Sequence, residues 1–228
     1  MVLKALTGLI PLSEMTPIRP ETILSPEITA EEMPEKEIRK RILYLDLETQ
    51  KSATEVGGWH NAHLMMISIA AVFDSLENRF FIYPEGRIDA LIDHLYRADL
   101  VVGFNIKRFD YAVLTSYTCQ NLQEIPTFDM LEDIHKRLGF RLSLDHLGRE
   151  TLNREKSADG LQALVWFKHG EMDKLTEYCK QDVMITKDLF LHGLEHSCLI
   201  YRNKYESERV RLLVDWDINE IINSIKQT

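Results

Sequence analysis

Cysteine is scarce in this 228-residue sequence, and the few that occur are scattered. The three cysteines, Cys119, Cys179 and Cys198, are odd in number and widely separated. A disulfide framework uses an even set of cysteines, and a zinc site needs several ligands at short spacings, so neither is expected here. We interpret all three as free thiols.

Basic residues and long hydrophobic runs are also in short supply. The opening MVLKALTGLIPL is too short for a membrane span and has no small-residue cleavage site, so we expect a cytoplasmic protein without a membrane partner. Asp and Glu outnumber Lys and Arg by 36 to 27, and this acidity argues against tight nonspecific binding of nucleic acid. Bound divalent cations would cancel several negative charges, so a nuclease is not excluded.

Proline is rare beyond residue 40. Of the 7 prolines in the chain, only Pro84 and Pro126 lie there. Residues 1–40 hold the others between scattered glutamates and show no sustained apolar period, which predicts an extended or partly disordered arm. Residues 41–200 are predicted to form one domain with one substantial core, and residues 201–228 a C-terminal extension.

The apolar pattern predicts strands first and then an alternation of strands and helices. Three strands at 42–50, 64–73 and 79–84 have short connections that suit antiparallel neighbours. Two later strands are expected at 99–104 and 126–130, and helices at 86–98, 107–119, 130–138, 143–152, 160–169 and 171–195. This order predicts an α/β fold in which a mixed sheet, three antiparallel strands followed by βα units, is flanked by helices.

Two acidic residues interrupt the first predicted strand, ILYLDLETQ (42–50). Side chains on a strand alternate between its two faces, so Asp46 and Glu48 point the same way and crowd one patch. Like charges this close repel, and burying them unpaired is costly. A positive group is therefore expected between them.

Two further acids, Asp110 and Asp182, lie on predicted helices at positions that can contribute to a binding site. Asp110 lies about one turn into the helix that is predicted after the fourth strand. Asn105 lies between that strand and the helix. Ligand sites in α/β sheets are usually found at such strand ends. Tyr178 and Asp182 are four residues apart in the long predicted helix and share one of its faces. Each pattern alone is common by chance.

Taken together, these acids resemble the DEDD superfamily of 3'-5' exonucleases, which have an RNase H-like fold. The resemblance covers roughly residues 41–197 and rests on the order Asp46, Glu48, Asp110 and Asp182, with Tyr178 four residues before the last acid. The histidine-using branch would have His where Glu177 stands, so the tyrosine branch, DEDDy, is favoured.

Several other segments extend the resemblance. TFDML and LSLDHLG have counterparts after the second motif in many members of the superfamily. With the GGW loop, SADGLQAL and the VRLLVDW tail, the chain also resembles bacterial exonuclease-like domains, some of which are fused to helicases or neighbour them. The resemblance implies a nucleic-acid substrate, either DNA or RNA with a single-stranded 3' end, and suggests a helicase as a protein partner.

The resemblance also implies a metal centre and a reaction. Two Mg²⁺ or Mn²⁺ ions would be bridged by Asp46, with Glu48 and Asp182 on the ion that activates water and Asp110 acting mainly through water on the other. Tyr178 would orient the attacking water. The products would be 5'-mononucleotides released by a two-metal hydrolysis of phosphodiester bonds.

Three more residues are candidates for contact with the substrate. Thr49 stands where members of the superfamily touch the terminal nucleotide. Asn105 borders the site, although we expect it to organise the motif backbone rather than to bind metal. Trp59 could stack on a terminal base or be buried as a loop anchor.

Two other functional classes fit the same acids. An RNase H-type endonuclease on this fold would not need Tyr178. A non-catalytic module that binds nucleic acid or a helicase could retain the ligands without using them. The presence of all four carboxylates argues against the second class.

Overall fold

A computed structural model describes residues 39–154, 160–203 and 208–227. Nearly all of the predicted N-terminal arm, residues 1–38, lies outside the described residues, as do the first three residues of SADGLQAL (157–164). The unit that starts at Arg39 contains the predicted domain and the C-terminal segment.

The central sheet has five strands in the order β3-β2-β1-β4-β5. Strands β1 and β2 are antiparallel, as are β2 and β3, whereas β4 runs parallel to both β1 and β5. The bounds are β1 Ile42–Thr49, β2 Ile67–Asp74, β3 Arg79–Pro84, β4 Leu100–Gly103 and β5 Thr127–Asp129. The predicted mixed sheet, with three antiparallel strands followed by βα units, is confirmed.

Seven α-helices lie among the described residues. They are α1 Ile88–Leu95, α2 Asp110–Leu114, α3 Met130–Leu138, α4 Leu144–Leu152, α5 Gly160–Lys168, α6 Met172–His196 and α7 Ile218–Lys226. None of the described helices combines the length and the apolar character needed to cross a bilayer.

Two predicted boundaries were wrong. The helix expected at 107–119 is only the short α2, because the chain after β4 first makes a tight turn in which Asn105 adopts a left-handed φ of 67°. The strand expected from residue 64 begins at Ile67, because a 3₁₀ turn, Trp59–Leu64, covers the start of the apolar run. An apolar run alone does not fix the residue at which a strand begins.

Successive side chains of β1 point to opposite faces of the sheet and enter two separate parts of the core. Leu43, Leu45 and Leu47 pack with residues of α1 and α2 on one side of the sheet. Ile42 and Tyr44 belong to the core on the other side, which includes α6. Asp46 and Glu48 continue the second series and therefore lie on the face of the sheet that α6 crosses, where α6 contacts both β1 and β2.

The C-terminal segment adds a hairpin and a helix that the sequence reading did not predict. Strands β6, Cys198–Arg202, and β7, Arg209–Leu213, pair antiparallel, and β6 contacts α4. Beyond β7, Trp216 stacks on Phe190 of α6 with ring centroids 5.7 Å apart. Part of the predicted extension, residues 201–228, therefore packs into the same core as the sheet.

Candidate metal centre and nucleic-acid groove

Three carboxylates from two elements meet at one point. Asp46 and Glu48 come from β1 and Asp182 from α6, and one oxygen of each lies within 4.8 Å of the others. The period of two along the strand places the first pair on one face, and the packing of α6 across that face brings in the third acid. Three carboxylates this close could hold a divalent cation, and their hard oxygen ligands are compatible with Mg²⁺ or Mn²⁺.

Asp110, the fourth predicted acid, is buried at the start of α2 beside this cluster. Burial raises the pKa of its carboxyl well above the usual range, and the charge of Asp46 adds to the rise, against smaller opposing backbone hydrogen bonds. Its Oδ1 has no hydrogen-bond partner among the described residues. A buried, unsatisfied oxygen on a carboxyl influenced by the charge of Asp46 fits a place where a cation or its water would supply the missing interaction.

Tyr178 lies one turn before Asp182 on α6 and is almost fully buried. The edge of the Trp166 ring from α5 packs against it with centroids 5.9 Å apart. This contact limits the positions available to the tyrosine ring.

A residue that the sequence reading passed over, Cys179, lies directly beneath the cluster. Its thiol donates to the backbone carbonyl of Asp46 at 3.3 Å. Burial, and then the charges of Asp46, Glu48 and Asp182, raise the pKa of this thiol well above its usual value. The thiol therefore stays protonated and ties α6 to the strand that carries two of the acids. Cys179 lies three residues before Asp182 on α6, but this spacing does not reveal its contact with β1.

Asn105 organises the end of β4. Its backbone N–H donates to Asp129 Oδ1 at 2.9 Å, and the same carboxylate accepts from the backbone of Lys107. Its side-chain oxygen accepts a 2.6 Å hydrogen bond from Arg141. These contacts agree with the expectation that Asn105 shapes the motif backbone, and they also bring Arg141 to the site.

The other two candidates differ in exposure. Thr49 is buried next to a register shift after Glu48, and its hydroxyl donates to the carbonyl of Lys51 at 3.0 Å. Trp59 is 72% exposed and meets the edge of Phe109, so it is not a buried loop anchor.

A cavity of about 1100 Å³ lies beside two of the acids. Asp46, Asp182, Asn105 and Trp59 line it, together with residues of the α3–α4 loop and of β6. Its volume exceeds the ~300–1,000 Å³ of a typical small-molecule site. Glu48, Asp110 and Tyr178 do not line this cavity but adjoin its acids in the fold.

A family model described as RNase_H superfamily, RNase_H_2, matches residues 43–192. The matched range starts in β1 and ends in α6, and it contains every predicted catalytic residue: Asp46, Glu48, Asp110, Tyr178 and Asp182. A comparison with curated proteins gives no match. Because the matched range is well over half of the chain and the sheet has the expected mixed order, the chain belongs to the RNase H superfamily and carries an RNase H-like nuclease domain.

Proposed function

We propose that this chain is a metal-dependent 3'-5' exonuclease of the tyrosine branch, which releases 5'-mononucleotides from single-stranded DNA or RNA ends. The observation that carries the proposal is the meeting of Asp46, Glu48 and Asp182 within 4.8 Å. Two further observations support it: buried Asp110 is close enough to Asp46 for that charge to raise its pKa, and buried Tyr178 lies one turn before Asp182 on α6.

In this proposal the acids hold two divalent ions. By the resemblance, Asp46 would contribute to both ions, Glu48 and Asp182 would hold one of them, and Asp110 would act on the other mainly through water. The oxygen-only donor set and the unsatisfied Oδ1 of Asp110 fit Mg²⁺ or Mn²⁺. When bound, such ions supply an activated water and stabilise charge on the leaving 3'-oxygen.

The neighbouring residues position the reactants. The Tyr178 hydroxyl orients the attacking water, while the contact of its ring with Trp166 restricts its position. Thr49 contacts the terminal nucleotide, and exposed Trp59 stacks on a base. Asn105 holds the end of β4 in shape through Asp129.

The position of Tyr178 supports an exonuclease over an RNase H-type endonuclease, which would not use this residue. The full set of four acids supports an enzyme over a non-catalytic binding module. A helicase partner, which rests on the sequence resemblance, and a cytoplasmic location are also part of the proposal.

End-labelled linear and closed circular single strands, in DNA and RNA versions, test the proposal. With Mn²⁺, linear strands should lose mononucleotides from the 3' end, circles should resist, and EDTA should abolish the reaction. Circles cut as fast as linear strands would identify an endonuclease. No cleavage of any strand with Mg²⁺ or Mn²⁺ would favour the non-catalytic module.

A further inference from the structure

The cavity beside the acids has a wall that lies partly outside the family-matched region. Phe140 and Arg141, from the loop between α3 and α4, line it together with Tyr201 and Arg202 of β6. We call these four residues the hairpin wall. The family match ends at residue 192, so the β6–β7 hairpin lies outside the matched range.

The hairpin is fixed against α4 by polar contacts. The backbone N–H of Arg202 donates to His146 at 2.9 Å, and its guanidinium donates twice to the buried carboxylate of Glu150 at 3.3 Å. Thr151 exchanges two 2.9 Å hydrogen bonds with the backbone of Ile200. The wall is therefore a preformed surface, which lowers the entropic cost of binding.

Two aromatic rings of this wall meet at its surface. The rings of Phe140 and Tyr201 pack edge to face with centroids 6.0 Å apart, and Phe140 is still 46% exposed. Exposed aromatic rings in a charged groove are the usual platforms for unstacked bases. A duplex hides the faces of its bases within the stack, so such rings favour a single strand.

Arg141 supplies positive charge to the same wall. Its guanidinium is exposed and is held by the side-chain oxygen of Asn105 at 2.6 Å. It makes no ion pair with a carboxylate among the described residues, although the chain carries a net charge of −9. A guanidinium that is oriented but not neutralised suits a phosphate.

We propose that the hairpin wall is a binding subsite for the single strand that leads into the acid cluster. One base stacks on Phe140 and Tyr201, and Arg141 contacts a backbone phosphate. The direction of the strand toward the acids rests on the proposed exonuclease function, whereas the recognition of a single strand by these residues does not.

Fluorescence anisotropy with labelled oligo-dT and oligo-rU, in EDTA at one low salt concentration, tests the subsite without any cleavage. Phe140→Ala should weaken single-strand binding about tenfold, the effect of losing one stacked base. Phe140→Tyr should bind like the wild type. The matched control is Leu76→Ala, since Leu76 is equally exposed at 46% but lies in the β2–β3 turn.

The charge is tested by Arg141→Gln against Arg87→Gln, an exposed arginine between β3 and α1. Arg141→Gln should weaken single-strand binding and reduce its salt dependence by about one phosphate contact, and Arg87→Gln should not. A blunt duplex of the same length should bind more weakly and be indifferent to Phe140→Ala.

The outcomes separate this inference from the proposed function. If the wild type degrades linear strands while Phe140→Ala and Arg141→Gln bind them normally, the subsite is wrong and the exonuclease stands. If both variants lose single-strand affinity but no cleavage occurs, the subsite stands and the exonuclease is wrong. The subsite would be overturned if the two variants lost as much affinity for the duplex as for the single strand. It would also be overturned if the wild type showed no detectable binding of single strands.

Discussion

At the scale of single residues, Tyr178 and Asp182 lie one turn apart on α6 and have separable tasks in the proposed reaction. Tyr178→Phe removes a hydroxyl and keeps the ring against Trp166. Loss of a positioned hydrogen bond at a reacting centre costs roughly a hundredfold to a thousandfold in rate, so we expect that loss with Mn²⁺ affinity unchanged. Asp182→Ala should lower both the rate and the Mn²⁺ affinity.

Single-turnover rates and Mn²⁺ titrations on the same labelled strand measure the two effects separately. Equal loss of metal affinity in the two variants would show that Tyr178 supports the site structurally. A wild-type rate in Tyr178→Phe would remove the chain from the tyrosine branch.

Simple periods predicted which of the candidate residues share a face, whereas the grouping of the four acids into one site came from the resemblance to the DEDD superfamily. The period of two places Asp46 and Glu48 on one face, and a single helical turn relates Tyr178 to Asp182. Cys179 was interpreted only as a free thiol, because its role in the site arises from the contact of its thiol with the backbone of a distant strand. No local period encodes a contact between residues 133 apart in the chain.

At the scale of elements, the turn between β2 and β3 depends on one buried acid. Asp74 accepts hydrogen bonds from the backbone N–H groups of Leu76 and Glu77, and its other oxygen contacts His94 of α1 at 3.1 Å. Asp74→Ala leaves these groups without their partner, so we expect a loss of about 2 to 3 kcal/mol in the free energy of unfolding. Urea titration measures it, and Asp93→Asn, exposed on α1, is a control expected within about 0.5 kcal/mol of wild type.

The loss of stability in Asp74→Ala should depend on pH, because the carboxyl of Asp74 has a shifted pKa. Burial raises the pKa of Asp74, but hydrogen bonds from His94 and the turn, with the charge of Arg41, outweigh it and leave the pKa below its ordinary value. A depressed folded-state pKa stabilises the fold above the unfolded pKa of about 4, and this contribution disappears as the pH falls through the folded value. The difference in the free energy of unfolding between wild type and Asp74→Ala should therefore be smaller at about pH 3 than at about pH 7. A constant difference would contradict this account.

The packing of the C-terminal segment on α6 makes a second element-scale prediction. Gly193 lies under Trp216, and a Cβ added there would come within 2.3 Å of the indole ring. Helix propensity alone favours Gly193→Ala by about 1 kcal/mol, but the clash should reverse the sign and destabilise the fold by about 1–3 kcal/mol. Gly86→Ala, where no atom lies within 4 Å of the new Cβ, is the matched control and should be nearly neutral. A more stable Gly193→Ala would show that Trp216 does not pack there.

Elements were harder to predict where tertiary contacts decide their limits. The three antiparallel strands followed from apolar runs with short connections. The hairpin β6–β7 was not predicted, because its partly exposed, arginine-bearing strands show little difference in polarity between their two faces. Its position depends on contacts with Glu150 and His146 of α4, which are distant in the sequence. The short α2 was overestimated because the tight turn at Asn105 comes before it.

At the scale of the whole molecule, the net charge of −9 includes acids that repel one another at the proposed metal centre. Cations that bind only the folded state stabilise it by mass action, by about 2.7 kcal/mol at a hundred times the Kd. For a chain of this size that corresponds to a rise in Tm of roughly 5–10 °C.

Asp46 is the acid on which this stabilisation should depend most, since it contributes to both ions in the proposed centre. Asp46→Asn removes a negative charge from the cluster, so the metal-free Tm should stay the same or rise, because repulsion is relieved. The same substitution should erase the Mn²⁺ shift, whereas Asp93→Asn, on the exposed face of α1, should keep it in full. Thermal melts of the three proteins in EDTA and in millimolar Mn²⁺ measure both effects. An undiminished shift in Asp46→Asn would place the metal elsewhere, and a lower metal-free Tm would mean that the Asp46 carboxylate stabilises the fold through its own contacts.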